Sequence, residues 1–186
     1  LEWLEPIHDA FPELKQFLKK DFIPSFEKIT NWSQTKYNNN GMDFDQDISP
    51  EQVTLSPVDI GFHNCIKKAD IIYFLDFEFF GWDDPVKLVA DTLQHPGSML
   101  NQKVKDYLAT QLYRIFYSDQ QLSIRLRCLY PLFGLKWCMI MLNSFLSGNL
   151  LKDLPKNNIR KEQLYKAKSK TARIVKTIEN NLLNHI

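Results

Sequence analysis

Three oxygen-bearing side chains, Asp59, Asn64 and Asp76, stand around two short apolar runs near the middle of the chain. An acid, an amide and a second acid at this spacing suit a phosphoryl-transfer site. In such a site one carboxylate orients a hydroxyl nucleophile, while an amide and a second carboxylate hold Mg²⁺ through their oxygens. We therefore expect these three side chains to converge around one position for magnesium and a nucleotide.

Short extended segments carry these residues. Residues 53–58 predict a strand that leads into a loop, and residues 64–67 and 71–75 predict the two strands of a hairpin. Asn64 and Asp76 therefore stand about a hairpin apart. The sequence predicts a small sheet, or a pair of hairpins, that bears the polar residues.

The rest of the chain has mainly helical periodicity. Apolar residues recur at helical spacing from residue 6 to about residue 30, and Pro12 and Pro24 predict a division into two helical pieces. Residues 31–50 are polar and rich in Asn and Asp, which predicts a loop.

The second half of the chain is predicted to be a bundle of helices. Asp84-Pro85 is typical of an N-cap followed by proline in the first helical turn, and this helix is expected to end near His95-Pro96. Further helices are predicted over residues 98–117, over residues 123–147 with a break at Pro131, and over residues 160–184 with basic residues on a solvated face. The predicted fold class is α+β and predominantly helical, in a single domain that covers residues 1–186.

The composition favours a small-molecule partner. The chain has 186 residues, 44% of them hydrophobic, and a net charge of +1. Because this balance provides no extended basic surface, we expect no nucleic-acid partner. The three cysteines have an odd count and match no zinc motif, so we interpret them as reduced thiols in a cytoplasmic protein.

One apolar stretch, residues 128–147, is about long enough to cross a bilayer. A charged residue, Lys136, lies near its centre, where a charge is costly in lipid. We therefore predict a buried core helix and no membrane partner. Lys136 itself needs a partner, for which a carboxylate of the loop region and an anionic substrate are both open. His95 shows no spacing typical of a ligand.

The order of the motifs resembles a known family. Asp59-Ile-Gly-Phe-His-Asn64, then Leu75-Asp76-Phe-Glu78, then Gly81-Trp82-Asp83-Asp84-Pro85, are similar to the catalytic loop and metal-binding segment of the aminoglycoside phosphotransferase and choline kinase family, which has a protein-kinase-like fold. The similarity extends through Leu135-Lys136-Trp137 to the last helix and so covers nearly the whole chain. Before residue 55 there is no glycine-rich loop and no pattern of a five-stranded sheet. The resemblance therefore implies the large C-terminal lobe of that fold, with the N-terminal nucleotide-binding lobe absent from this chain.

The resemblance also implies a role for each motif residue. Asp59 matches the catalytic aspartate, which accepts or aligns the proton of the substrate hydroxyl. Asn64 and Asp76 match the two Mg²⁺ ligands, Asp76 bridging the metal to the nucleotide phosphates. Glu78 lies two residues beyond Asp76, on the same side of an extended segment, and is assigned as an outer-shell or second-metal group.

Four residues close to these motifs are weaker candidates for substrate binding. His63 stands beside Asn64, where a contact with substrate or phosphate and a loop-shaping hydrogen bond are both open. Trp82 could line the pocket or pack at the junction between strand and helix. Asp83 and Asp84 could bind a cationic substrate, although an N-cap is the simpler role for Asp84.

The function implied by the resemblance is transfer of the γ-phosphate of ATP, or of another NTP, to a hydroxyl of a small molecule with the help of Mg²⁺. The implied partners are this substrate, the nucleotide and the missing N-terminal lobe of the same protein, without which this piece is expected to be inactive. Pro57 replaces a histidine of the family pattern, and Lys87 replaces an aspartate. These two departures favour the alternative, a catalytically silent kinase-like module that binds a ligand or a protein.

Overall fold

The computed structural model describes residues 11–57, 59, 61–78, 80–146 and 157–180. Within these residues the protein is mostly helical, with two small antiparallel sheets. The helices are α1 (Pro12–Phe17), α2 (Ile23–Asn39), α3 (Pro85–Gln94), α4 (Gln102–Ile115), α5 (Leu122–Leu142) and α6 (Asn157–Glu179). The α+β, predominantly helical class predicted from the sequence is confirmed.

The strands form two antiparallel pairs. Strand β1 (Thr54–Ser56) pairs with β4 (Gly81–Asp83), and β2 (Cys65–Lys68) pairs with β3 (Ile71–Phe74) as a hairpin. Ala69, in the two-residue turn of this hairpin, has a left-handed backbone with φ 53°, as tight hairpin turns require. The predicted hairpin is confirmed, with both strands within one residue of their expected ends.

The two N-terminal helices are continuous. A π-helical turn, Leu18–Phe22, joins α1 to α2. Pro12 occupies the first turn of α1, where the missing N–H would have no partner within the helix. Pro24 lies just after the π-helical turn, and the helical run continues through it. Neither proline separates the segment into two helices. The part of the predicted helix before residue 11 lies outside the described residues.

Helix α2 continues to Asn39, so the loop predicted over residues 31–50 is wrong for its first part. The polar composition hid the helix because only a narrow stripe of α2, including Ile29 and Ser33, is buried. The remaining side chains of this segment lie on partly or fully exposed faces, where polar residues are compatible with helix.

Helix α5 is the central element of the core. Near its N-terminus, Leu122 and Leu126 pack in one apolar cluster with α3 and α4. Towards its C-terminus, Leu135 and Cys138 pack in a second cluster with α1, α2 and α6. The predicted break at Pro131 is wrong, because the helix continues through this fully buried residue. One backbone hydrogen bond is lost there, and burial of the helix on both sides outweighs that loss.

Gly134 permits close contact around α5. A Cβ atom at this position would lie 2.6 Å from Ile174 Cδ1 of α6 and 2.7 Å from Gln94 Oε1 of α3. Both neighbours are buried, so a larger residue would displace side chains in a packed interior. The glycine thus lets three helices meet at one point.

By length and composition, the segment Leu122–Phe145 passes a test for a membrane-crossing helix, and 50% of its most apolar window is buried inside the protein. Core helices of water-soluble folds pass the same test. Its packing against the surrounding helices agrees with the core helix predicted from the sequence.

The three cysteines are free thiols with different exposure. Cys128 and Cys138 are buried, and burial raises the pKa of both thiols. Cys65, the first residue of β2, is half-buried.

Candidate functional site

Asp59 lies in the loop between β1 and β2, and two imidazoles contact its carboxylate. His63 Nε2 is 3.0 Å from Asp59 Oδ2, and His95 Nε2 is 3.1 Å from Asp59 Oδ1. His63 belongs to the same loop, whereas His95 caps the C-terminal end of α3. The catalytic candidate is therefore held from two sides, by its own loop and by a helix of the core.

The second nitrogen of His95 defines its tautomer. Nδ1 accepts a hydrogen bond from the Gly97 N–H at 3.1 Å. Because that nitrogen is an acceptor, the proton of the neutral ring is on Nε2, which donates to Asp59. Burial lowers the pKa of His95, and His63 lowers it further, against the opposing effect of Asp59. His95 thus acts as a neutral hydrogen-bond donor to the carboxylate.

Trp137 of α5 fixes the plane of the His95 ring. The two rings meet edge to face, with their centroids 4.6 Å apart. A hydrogen bond on each nitrogen and an aromatic contact leave this imidazole little rotational freedom. The core helix therefore orients Asp59 through His95.

The environment favours the ionised form of Asp59. Partial burial would by itself raise the pKa of this carboxyl, but the hydrogen bonds from His63 and His95 and the Coulombic effect of His63 outweigh that effect and lower it. Asp59 is accordingly a carboxylate at neutral pH, better suited to aligning a hydroxyl than to removing its proton early.

Asn64 and Asp76 lie at the open end of the β2–β3 hairpin, next to the Asp59 loop. The Asn64 Nδ2 donates to the backbone carbonyl of Asp59 at 3.0 Å, and the Leu75 N–H donates to the Asn64 carbonyl at 2.8 Å. These bonds bring the residue after Leu75, Asp76, beside the loop. The hydrogen bond of Asn64 uses its amide nitrogen and leaves the oxygen for other contacts.

Asp76 has an unusual backbone. Its φ is 62°, in the left-handed region that few residues other than glycine adopt. Aspartate tolerates this region better than most residues, and such conformations cluster at functional sites. The turn projects Asp76 from the end of β3 with an exposed side chain.

One cleft brings two of the predicted residues together. Asp59 and Asp76 line an opening of about 590 Å³, with His95 beside them. The rest of its lining is Pro96, Trp137, Ile140, Met141, Ser144, Ile159 and Gln163. The cleft therefore has acidic and imidazole groups on the loop side and a largely apolar wall from α5 and α6.

Glu78, Trp82 and Asp83 do not line this cleft. Glu78 is exposed, and Trp82 is 72% exposed on β4. The packing role considered for Trp82 is wrong, since its ring is largely in solvent. Asp83 accepts a hydrogen bond from the Asp84 N–H at 2.8 Å and pairs with the Lys87 ammonium at 2.5 Å.

Asp84 is the N-cap of α3 and also part of a charged cluster. Its Oδ1 accepts the Val86 N–H at 2.8 Å, as expected for a cap. Arg125 of α5 donates to both Asp84 and Asp119, with its closest contacts at 2.9 and 2.7 Å. This buried guanidinium holds the start of α3, just after β4, against the loop between α4 and α5.

Lys136 has a partner on a helix, so the loop carboxylate considered from the sequence is wrong. Its ammonium contacts the two oxygens of Asp91 at 2.5 and 2.6 Å. The Trp137 indole N–H donates to the same carboxylate at 3.0 Å. Asp91 lies one helical turn before His95 on α3. The Lys136–Asp91 ion pair therefore holds α3 against α5 next to the site.

Two kinds of cation fit two different parts of the site. Asp76 and the Asn64 oxygen are hard oxygen donors, the type that Mg²⁺ prefers. Asp59, His63 and His95 offer ligand atoms within 4.8 Å of one another, a mixed set that in type suits divalent transition metals better than Mg²⁺. A Mg²⁺ ion would therefore be held on the Asp76 side of the cleft.

Sequence reasoning missed His95, Trp137 and Asp91. His95 is 36 residues from Asp59, and no motif joins them. A weak signal was present: Asp91 and His95 are one helical turn apart at the end of α3, the helix that follows β4. That spacing places both on one face of α3, the face that contacts Trp137 of α5.

In comparisons with known proteins, no family model, curated protein or solved structure matches this chain.

Proposed function

We propose that this chain is the large lobe of a phosphotransferase that moves the γ-phosphate of ATP, or of another NTP, to a hydroxyl of a small molecule. The observation that carries the proposal is the meeting of Asp59 and Asp76 in one cleft. Asn64 is hydrogen-bonded to the backbone of Asp59 beside them. These three residues also carry the resemblance to the aminoglycoside phosphotransferase and choline kinase family.

Asp59 is the residue that meets the substrate. The hydroxyl donates its proton to a lone pair of the carboxylate that the imidazoles leave unused, and its oxygen then points at the phosphorus. Because His63 and His95 hold the carboxylate in place, the side chain of Asp59 loses little rotational entropy when the substrate binds. Proton transfer comes late in such reactions, so a carboxylate of low pKa suffices.

Asn64 and Asp76 are the residues that would hold Mg²⁺. Bound there, the ion would neutralise the phosphate charge that builds up during transfer. Asp76 presents its carboxylate from a left-handed turn, at the cleft that it lines together with Asp59. Glu78, exposed two residues further on, is assigned at most a contact through water.

The β2–β3 hairpin supports the presence of a covering lobe. Its apolar side chains are about half exposed, on both faces of the two strands: Ile66, Ile71, Ile72, Tyr73 and Phe74. An exposed apolar surface of this kind is typical of an interaction site. We assign it to the nucleotide-binding lobe that the resemblance implies.

Mg²⁺-dependent ATP binding by the full-length protein tests this function. Asp76→Asn keeps the size of the side chain but removes its charge, so it should abolish the dependence of ATP binding on Mg²⁺. Asp59→Asn should leave that binding intact and lower turnover by about 10²–10⁴-fold, the usual effect of losing such a group. Isothermal titration with and without Mg²⁺, and phosphate release, measure the two effects.

The matched control is Asp70→Asn, at the opposite end of the same hairpin. It removes another exposed acid and should change neither measurement. ATP binding that ignores Mg²⁺ and is the same in the parent and Asp76→Asn would refute the proposed metal site.

One observation favours the alternative of a silent module. Both oxygens of Asp59 already contact a histidine, and a carboxylate used only to shape a loop would look the same. In that case ATP or another ligand would bind without Mg²⁺. Neither the parent nor Asp59→Asn would turn over substrate, and the substitution would change only the stability of the loop.

A further inference from the structure

A second cavity, of about 550 Å³, lies where α4, α5 and α6 meet the end of α3. It shares no lining residue with the Asp59 cleft. Part of its wall is apolar, formed by Leu93, Ala109, Pro131 and Ile174. The cavity is therefore an independent pocket of a size that suits a small organic molecule.

Three cations line this cavity: Lys105 from α4, and Lys170 and Arg173 from α6. The sequence predicted that the basic residues of α6 form a solvated face, which is wrong for the half-buried Lys170. Burial lowers the pKa of Lys105 and Lys170, and Arg173 lowers both further by repulsion. The three positive charges are thus close enough to repel one another around the cavity.

The protein itself does little to neutralise these charges. Among the described residues, no carboxylate lies within ion-pair distance of Lys105, Lys170 or Arg173. Lys170 donates to the Gln94 carbonyl at 3.3 Å, which uses one of its three donors. Asp106 is the one carboxylate in the described lining, and its Oδ1 accepts a hydrogen bond from the Gln102 amide at 2.7 Å. One carboxylate cannot balance three cations. The lining therefore keeps a net positive charge.

We propose that this cavity binds a small organic phosphate, with its phosphate group among Lys105, Lys170 and Arg173. A dianion offsets the repulsion among the three cations, and the arginine fork matches phosphate oxygens. The apolar wall and the volume leave room for an organic portion beyond the phosphate. The site stands on its own cavity and does not depend on the proposed phosphotransfer.

Titration calorimetry with phenyl phosphate tests the site, because this probe joins a dianion to an apolar ring. One equivalent should bind to the full-length protein at constant ionic strength, more tightly than inorganic phosphate, and phenol should not compete. Lys170→Met and Arg173→Gln should each weaken binding at least tenfold. Lys105→Gln removes the third cation, so it should weaken binding by a few-fold and serves as an independent variant on α4.

Two control variants make the outcome decisive. Lys103→Met removes an exposed cation of α4 that does not line the cavity, and it should bind as tightly as the parent. Asp76→Asn should also bind as tightly, which separates this site from the proposed nucleotide cleft. Unchanged affinity in both Lys170→Met and Arg173→Gln, or binding lost in Asp76→Asn, would overturn the proposal.

Discussion

His95 shows how much a single side chain contributes to the candidate site. It receives a hydrogen bond from Gly97, donates one to Asp59 and packs on Trp137. The side chain is only 7% exposed, so none of these contacts is replaced by water without cost. His63 meets the same carboxylate from the solvent side, with 53% of its side chain exposed.

This difference in burial predicts different costs of truncation. His95→Ala should lower the free energy of unfolding by about 1–3 kcal/mol, because it leaves a gap and unpaired groups. His63→Ala, the matched variant on the exposed side, should change it by less than about 0.5 kcal/mol. Urea denaturation of both variants measures the effect, and equal losses would contradict the assigned roles.

The packing of the two imidazoles leaves no space for a side chain at Gly61. A Cβ atom there would lie 2.3 Å from His63 Cε1 and 3.0 Å from His95 Cε1. No side chain fits without moving at least one of the two rings. The glycine of the loop motif is therefore explained by space for the imidazoles that hold Asp59.

At the scale of elements, a buried ion cluster joins strand, helix and loop. Arg125 contacts Asp84, which follows β4 and caps α3, and Asp119, in the loop between α4 and α5. Its side chain is 5% exposed. The hydrogen bonds and charges of the two acids raise the pKa of Arg125 above its ordinary value despite burial, so it remains charged at every pH at which the protein folds.

Arg125→Met should therefore destabilise the protein by about 3–5 kcal/mol, because two carboxylates lose their common partner. Arg114→Met removes an exposed arginine of α4 and should cost less than about 0.5 kcal/mol. Adding Asp119→Asn to Arg125→Met should recover part of the loss. Thermal unfolding followed by circular dichroism gives all three values; a double variant no more stable than Arg125→Met would argue against charge as the cause.

Some elements were predictable because local chemistry determines them. The two-residue turn after β2, and the acid followed by proline at the start of α3, are short-range signals that tertiary packing did not alter. The predictions of a helix break at Pro131 and of a loop from residue 31 onwards were wrong for the opposite reason. Burial of α5 on both sides carries the helix through a proline, and α2 needs only a narrow apolar stripe.

Only those residues of the candidate site that belong to one continuous stretch of sequence could be predicted. Asp59, Asn64 and Asp76 were visible because each stands beside a strand end or a loop in a recognisable order. His95 and Asp91 act across more than thirty residues, through helix packing that no local pattern encodes. The basic cavity was hidden likewise, because α4 and α6 each contribute cations that look ordinary on a single helix.

At the scale of the whole molecule, α5 connects the two cavities. It supplies Trp137 and Met141 to the Asp59 cleft, and Tyr130 and Pro131 to the basic cavity. Burial raises the pKa of Tyr130 to about 12, so this residue stays neutral in the wall. Both sites are thus built on one rigid, buried helix.

The cations of the basic cavity predict a pH-dependent stability. Burial and repulsion lower the pKa of Lys170 from 10.5 to about 8 in the folded protein. Between these values the unfolded chain binds the extra proton, so stability should rise as the pH increases from about 8 to 10.5. The full gain is up to about 3 kcal/mol, from about 1.4 kcal/mol for each pH unit.

Comparison with a variant isolates this contribution. Lys170→Met should be more stable than the parent below pH 8, and the difference should shrink to near zero by pH 10.5. Lys103→Met should follow the parent at every pH. Urea unfolding at several pH values measures the three curves, and a constant difference between Lys170→Met and the parent would show that Lys170 titrates normally.

The unequal accessibility of the three thiols has a practical use. A maleimide dye should react first with Cys65, since Cys128 and Cys138 are enclosed by helices. The label would be attached next to Asn64, at the edge of the cleft, without any engineered cysteine. Its emission should then change when a ligand binds in the cleft, whereas binding in the basic cavity, whose lining contains no cysteine, should leave the emission unchanged.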